Sequence, residues 1–468
     1  MSLALSLYHR LPVRSRSLVA SARGYYLSWW RYDKRTEELV EAALERDYWT
    51  HSEWQAWRNE RLHYVLKRAA THVPYYRQMW EERRQNGDGS SLEKLENWPI
   101  LEKKILRERG KEFIADDRSE SKMFHDHTSG TTGTSLSIWL TRDAVKRWYA
   151  LHEARCRRWH GIGRRDRWAM LGGQLVVPSK QKSPPFWVWN RGLNQLYMSA
   201  YHISLQTAHD YLRALAAYNV KYILGYPSAI YSLAQAAVQL RLAGLQIETV
   251  IANAEPLYDH QRSTIAEAFN CPVRETYGMA EIAAAASECE RGKLHLWPEA
   301  GIVETDDKES SDLICTGLIN DDMPLIRYRV GDRGRFSDEK CECGRLLPVL
   351  DGIDGRCDDV LYTSDGRAVG RMDPVFKNDL PIIEAQIIQE SLHRIVVKYV
   401  RADGFHRKAL TRLGDRICDR LGDIQVEFEE VAEVPRTNNG KFRAVICNLP
   451  KEIIEQLKYP AAADRSAR

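Results

Sequence analysis

Residues 128–134 run Thr-Ser-Gly-Thr-Thr-Gly-Thr. Gly130 and Gly133 let a backbone turn tightly and come close to an anion. The hydroxyls of Thr128, Ser129, Thr131 and Thr132 surround them, and successive N–H groups in such a turn make an anion-binding concavity. The guest this chemistry suits is a nucleotide phosphate; the alternative is an ordinary Ser/Thr/Gly loop. The stretch is not a Walker-type P-loop, because Gly133 is followed by Thr134-Ser135 rather than Gly-Lys-Ser/Thr. The Gly440-Lys441 pair is followed by Phe442, which disfavours that motif as well.

Four further elements could complete a nucleotide site. Tyr277-Gly278-Met279-Ala280-Glu281 follows an expected strand: the tyrosine can stack on a base and the glutamate can hold a divalent cation beside phosphates. Asp332, in Arg327-Tyr328-Arg329-Val330-Gly331-Asp332, can accept both hydroxyls of a ribose. Gly355-Arg356-Cys357-Asp358 sits where the composition shifts between expected domains, and Pro435 and Gly440 bracket a loop that presents Lys441. Taken singly these are a helix start, a surface ion pair, a linker and a solvated lysine; five in this order are far more specific.

In that order they resemble the adenylate-forming superfamily of acyl-CoA synthetases, adenylation domains and luciferases. The resemblance is to its phenylacetate–CoA ligase-like branch, and within it to the capsular-polysaccharide (CapK-like) proteins. It extends to His72-Val73-Pro74-Tyr75-Tyr76, Gly225-Tyr226-Pro227-Ser228 and residues 365–371. It implies that residues 128–133 grip phosphates, that Ala254, Glu255 and Pro256 lie beside adenine with Tyr277 stacked on it, and that Gly278 and Met279 belong to the same segment. Glu281 would bind magnesium. Asp332, assisted by Arg356, would hold the ribose, and Asp358 would be the hinge of a mobile domain. Lys441 would contact the carboxylate and the α-phosphate, with Thr131, Thr132 and Glu281 assisting the chemistry. Tyr201, Tyr226, Pro227 and Gly278 would line the acid pocket. The implied reaction is ATP-dependent activation of a carboxylic acid as acyl-AMP, then transfer to an acceptor.

Two departures bear on the acceptor. Many relatives carry Pro-Lys-Gly after the phosphate loop, and here Thr134-Ser135-Leu136 follows. Where the CoA ligases of this branch carry an apolar loop near the thiol tunnel, this chain has Thr363-Ser364-Asp365-Gly366-Arg367. An amine or amino sugar is therefore favoured over the thiol of CoA. A CoA ligase is the alternative, as is a retired enzyme kept as a scaffold. Cys289, His295, Cys341 and Cys343 together make a closed zinc set of the structural type, and relatives show similar elements; the competing reading is a buried thiol plus a free Cys-x-Cys pair.

These groups need a scaffold. The 468 residues suggest two or three domains. With 44% hydrophobic and 28% charged residues the composition is globular, and a net charge of +4 argues against a nucleic-acid binder. No apolar run reaches the roughly 18–20 residues of a membrane span, and the start has no secretory pattern. The nine cysteines are therefore expected to be reduced thiols or ligands in a cytoplasmic protein. Residues 1–36 mix arginines with aromatics: an arm packed on the body, or one resting on the inner face of the membrane. Residues 36–85 carry helical spacing closed by His72-Val73-Pro74. Helices are expected at 143–158, 205–218, 228–243 and 257–269, and strands at 220–224, 249–252 and 311–316, an α/β alternation. Strands at 386–389, 394–400 and 425–429 with a helix at 407–421 form a smaller α+β unit. The fold class expected is α/β, a large domain of layered sheets and helices (1–100 as arm and helical region, 101–355 as the ATP and acid site) with a small mobile domain at 356–468. A homodimer stays open.

Overall fold

The computed structural model describes residues 3–127, 136–178, 180–241, 244–305, 311–337, 339–354, 360–369, 372–376, 380–402, 404–435 and 443–458. The phosphate loop at 128–133, Arg356, Asp358 and Lys441 lie outside them.

A twelve-stranded sheet forms the scaffold. Gln195–Ser199, Trp168–Gly172, Tyr222–Gly225, Thr249–Asn253 and Val273–Gly278 run parallel, in that spatial order. Parallel neighbours require crossovers, which Leu205–Ala217, Pro227–Gln239 and Asp259–Phe269 provide as helices. Their apolar faces cover the sheet: Leu212, Ile230, Leu233, Ile265 and Phe269 cluster with Ile223 and Val250. Each such side chain, fully buried, stabilises by about 1.5–3 kcal/mol. Covered on both faces, Tyr222–Gly225 is buried throughout, as a central parallel strand should be. Beyond Val273–Gly278 the pairing turns antiparallel, through Ala285–Glu288, Leu294–Leu296, Val349–Asp354, Tyr328–Phe336, Ser311–Gly317 and Gly301–Thr305.

The helical front differs from expectation in one respect. His72-Val73-Pro74 does not end it: His51–His72 closes at Val73, and Pro74 opens Pro74–Gln85 as its first residue, where the missing N–H costs nothing. His51–His72 starts in a capping box, Thr50 N donating to Glu53 Oε2 at 2.7 Å. The single helix expected at 143–158 is Arg142–His152 running into a π-helical turn at Glu153–Arg157 and a short 3₁₀ turn that Gly161 ends at φ +71°. In that π turn Arg155 is fully buried, bonded to Asp47 Oδ1 at 2.9 Å and to both oxygens of Glu299 at 2.7 and 3.1 Å.

The arm is helical. Val13–Arg31 packs on the edge strand Trp187–Asn190 and the turn after it, with Ser21 Oγ donating to Trp189 O at 3.3 Å and Ser17 Oγ accepting from Trp189 N at 3.2 Å. The approach demands glycine on both sides: a Cβ on Gly192 would stand 2.1 Å from Tyr25 N, and one on Gly24 1.9 Å from Asn190 Oδ1. A second, four-stranded sheet orders Gln425–Glu430, Arg394–Arg401, Ile382–Ser391 and Val445–Cys447. Ala409, Leu413, Ile417 and Leu421 form the buried stripe of its helix, Lys408–Leu421.

Candidate active site

The parallel strands end in the segments that carry the motifs. Ala254-Glu255-Pro256 follows Thr249–Asn253, Tyr226 follows Tyr222–Gly225, and Tyr277 and Gly278 close Val273–Gly278. This is the carboxyl edge of the sheet, at the strand where parallel pairing gives way to antiparallel, the position where open α/β sheets bind ligands. A cleft of ≈ 1680 Å³ opens there, lined by Ala254, Glu255, Pro256, Tyr277, Glu281 and Asp332 among others.

Tyr277 Oη donates to Asp332 Oδ2 at 2.9 Å. Three strands separate their two strands in the sheet order, so the sheet curls to bring them together. Burial pushes the Tyr277 phenol well above its ordinary value, and the Asp332 charge adds to the effect; it stays a donor at any physiological pH. Glu281 is buried, accepts from Tyr328 Oη at 3.1 Å, and lies 3.8 Å from Lys103 Nζ. Ser228 N donates to Glu255 Oε2 at 3.0 Å in the first turn of Pro227–Gln239. Ala254 takes φ +67°, a left-handed conformation that costs an alanine roughly 1–2 kcal/mol; strain of that kind concentrates at functional sites.

Of the acid-pocket residues expected, Tyr226 and Gly278 line the cleft, as does Met279, whereas Tyr201 and Pro227 do not. Tyr201 is buried where the two sheets meet: its hydroxyl donates to Gly173 O at 2.8 Å, its carbonyl accepts from Arg367, and its ring lies 5.7 Å from the Arg420 guanidinium. Lys103, Trp148, His152 and Arg157 line the cleft without having carried a motif. Trp148 and His152 stand four apart on one helical face, so the one legible signal was a histidine on an otherwise apolar stripe.

The four expected zinc ligands converge, with their ligand atoms all within 4.8 Å of one another. Cys289 Sγ and Cys341 Sγ are 3.6 Å apart, and Cys343 Sγ and His295 Nε2 3.4 Å. A tetrahedral zinc with ordinary bond lengths sets such edges at about 3.8 and 3.6 Å, so the donor set fits. His295 Nδ1 faces Leu347 O at 3.3 Å, a contact that fixes the proton on Nδ1 and leaves Nε2 for a metal.

The model of the CapK C-terminal domain matches residues 361–448. CapK of Staphylococcus aureus is 27% identical over 95% of this chain and 99% of its own. A phenylacetate–coenzyme A ligase of Thermus thermophilus is 25% identical, covering 84% of this chain and 96% of that one. Among solved structures, 2-hydroxyisobutyryl-CoA ligase with 2-HIB-AMP and CoA superposes with a TM-score of 0.57 at 21% identity, over 88% of this chain and 94% of that one. Fold and relatives together group the chain with the adenylate-forming, AMP-forming ligases. In sequence the chain is similar to CapK and to phenylacetate–coenzyme A ligases.

Proposed function

We propose that the protein is an ATP-dependent ligase that joins a carboxylic acid to AMP, releases pyrophosphate, and passes the acyl group to an amine or amino-sugar acceptor. The supporting observation is the Tyr277–Asp332 hydrogen bond beside Glu281 in one cleft at the carboxyl edge of the sheet. A carboxylate oxygen attacks the α-phosphorus, the bond to the β-phosphate oxygen breaks, and pyrophosphate carries the electron pair away. Two anions meet in that step, and a positively charged Lys441, together with a magnesium ion on Glu281, would offset their repulsion. Residues 128–133 would hold the departing phosphates, Asp332 with Arg356 the ribose, and Ala254, Glu255, Pro256 and Tyr277 the adenine. Lys441 lies in the 356–468 unit, so rotation about Asp358 would assemble and release the site. ATP–pyrophosphate exchange across a panel of acids is the test: exchange is expected with some acid and its loss in Lys441→Ala. Exchange at the wild-type rate in that variant refutes the mechanism.

CoA is the second acceptor, supported by the phenylacetate–coenzyme A ligases among the relatives; acyl transfer to CoA under exchange conditions decides between them. We also infer that Cys289, His295, Cys341 and Cys343 hold a structural zinc. The arm would rest on an anionic bilayer. Residues 1–32 contain no acidic residue, no helix of the described residues is long and apolar enough to cross a membrane, and Leu18, Tyr25 and Trp29 are 70%, 55% and 74% exposed on the outer side of a helix whose inner side is packed. Flotation with phosphatidylglycerol vesicles, lost in Leu18→Ser/Trp29→Ser, checks that contact; flotation unchanged in the variant removes it.

A further inference from the structure

The cleft continues beyond the nucleotide motifs, under the arm helix. Trp148 marks the junction: a Cβ on Gly278 would meet its ring at 3.5 Å. One turn further along the same helix, about 6 Å by helical rise, His152 lines the cleft with Tyr149 beside it, ring centres 6.5 Å apart. The end of Val13–Arg31 lines the cleft beside them. There the Arg31 guanidinium lies 3.8 Å above the Tyr149 ring and 6.0 Å from that of Tyr32.

The positive charges in this chamber are unequally matched. Arg157 is neutralised by Glu153 at 3.0 Å and donates to Tyr222 Oη at 2.8 Å. Arg164 pairs with Glu37 at 3.0 Å. Arg23 and Arg165 are exposed at the rim, where water solvates them. Arg31 is half-buried, its Nε is buried without a hydrogen-bond partner, and no carboxylate among the described residues pairs with it. The Nδ1 of His152 is likewise buried and unpartnered. Burial first, and the Arg157 charge second, hold that imidazole down to about 3, so it offers a neutral donor and acceptor rather than a further cation.

A guanidinium partly withdrawn from water without a counter-anion is costly, and its planar fork matches a carboxylate bidentately. Aromatic walls exclude water and strengthen such a contact. We propose that the acid this enzyme activates carries a second carboxylate, bound by Arg31 and His152 one helical turn beyond the reacting end. The assignment rests on the ligase reading for the first carboxylate. The separation suits a diacid of about five or six carbons.

Two readouts separate this proposal from that reading. Calorimetry without ATP compares glutarate and adipate with valerate and hexanoate on the full chain. ATP–pyrophosphate exchange is then run with the same four acids. At least one diacid is expected to bind tenfold or more tightly than its monoacid. Arg31→Met should weaken that diacid by about 10- to 100-fold, leave the monoacid within twofold, and raise the exchange KM with kcat within about threefold. Arg31→Lys, which keeps the charge but not the fork, should recover part of the loss. Monoacids binding as well as diacids, or Arg31→Met weakening both alike, overturns the proposal. Arg31-dependent diacid binding without exchange by any acid sinks the ligase reading and leaves the anion site standing. Should Arg31→Met fail to fold by thermal melt, Arg31→Lys and His152→Phe carry the test, and an unchanged diacid preference in both overturns it.

Discussion

Removing the zinc proposed for Cys289, His295, Cys341 and Cys343 is the perturbation with the most calculable outcome. The metal would tie residues 52 apart in the chain. In the chain-entropy description a cross-link closing such a loop stabilises by about 4 kcal/mol. The tie has mechanical consequences. The strap after Cys343 carries Arg345, whose guanidinium lies 4.3 Å above the Trp159 ring, and Leu346, whose N–H donates to Asp47 O at 2.8 Å. Cys289 packs in one apolar cluster with Trp54, Trp159 and Leu347, so loosening the strap exposes the seam between the front helices and the sheet. Prolonged dialysis against dipicolinate, or Cys343→Ser, should lower the melting temperature by about 8 °C, at roughly 2 °C per kcal/mol for a domain of this size. The assay pairs metal analysis of untagged protein with differential scanning calorimetry. Less than about half an equivalent of zinc in protein as purified, or an unchanged melt after the metal is removed, refutes the reasoning.

Arg155→Met should destabilise the fold by about 3–5 kcal/mol, because it strands the buried Asp47 and Glu299 carboxylates; the urea midpoint reads it, and a loss below 1 kcal/mol contradicts the buried pairing. Gly192→Ala should push the arm helix off its seat, since the new Cβ would meet backbone at 2.1 Å. Tryptic cleavage at Arg14 or Arg23 should then accelerate at least tenfold while cleavage of the body is unchanged. His152 supplies a pH dependence. Its folded value is held down to about 3 by burial and by Arg157, below the ordinary 6.5 of the unfolded chain, so its contribution is whole above pH 6.5 and is lost as pH falls toward 3. About 2 kcal/mol should be gone by pH 5, and His152→Gln should flatten that part of the stability–pH curve measured in urea.

Element types were legible where one face had to be buried. The 3.6-residue stripe placed Leu205–Ala217 and Lys408–Leu421 to within about two residues of their ends, and the strands expected at 220–224 and 249–252 are Tyr222–Gly225 and Thr249–Asn253. The arm gave no such signal, because Gly24, Ser17 and Ser21 pack it through backbone proximity and hydroxyl contacts rather than through an apolar stripe. Within the candidate site, motif chemistry restricts residue type, and Tyr277, Glu281 and Asp332 do meet in one cleft, as Cys289, His295, Cys341 and Cys343 meet at one point. The chamber residues Arg31, Trp148 and His152 were not legible: they come from two helices separated by more than a hundred positions, and only the fold brings them together. The surroundings of Tyr201 were hidden for the same reason, since nothing local to it tells that Arg367 and Arg420 come against it from more than 160 positions further along the chain.

The π turn at Glu153–Arg157 lets one segment serve two partners. Before it, Trp148 and His152 face the cleft; within it, Arg155 faces Asp47 and Glu299. Each residue of a helix turns the next by about 100°, so the widened turn works as a phase shifter between the two surfaces. Excising one residue there, Ala154 for instance, would restore regular winding and turn Arg155 by about that angle away from its carboxylates, while Trp148 and His152 upstream kept their places. A change of length at this point would therefore cost the buried Arg155 pairing even where every residue type is kept.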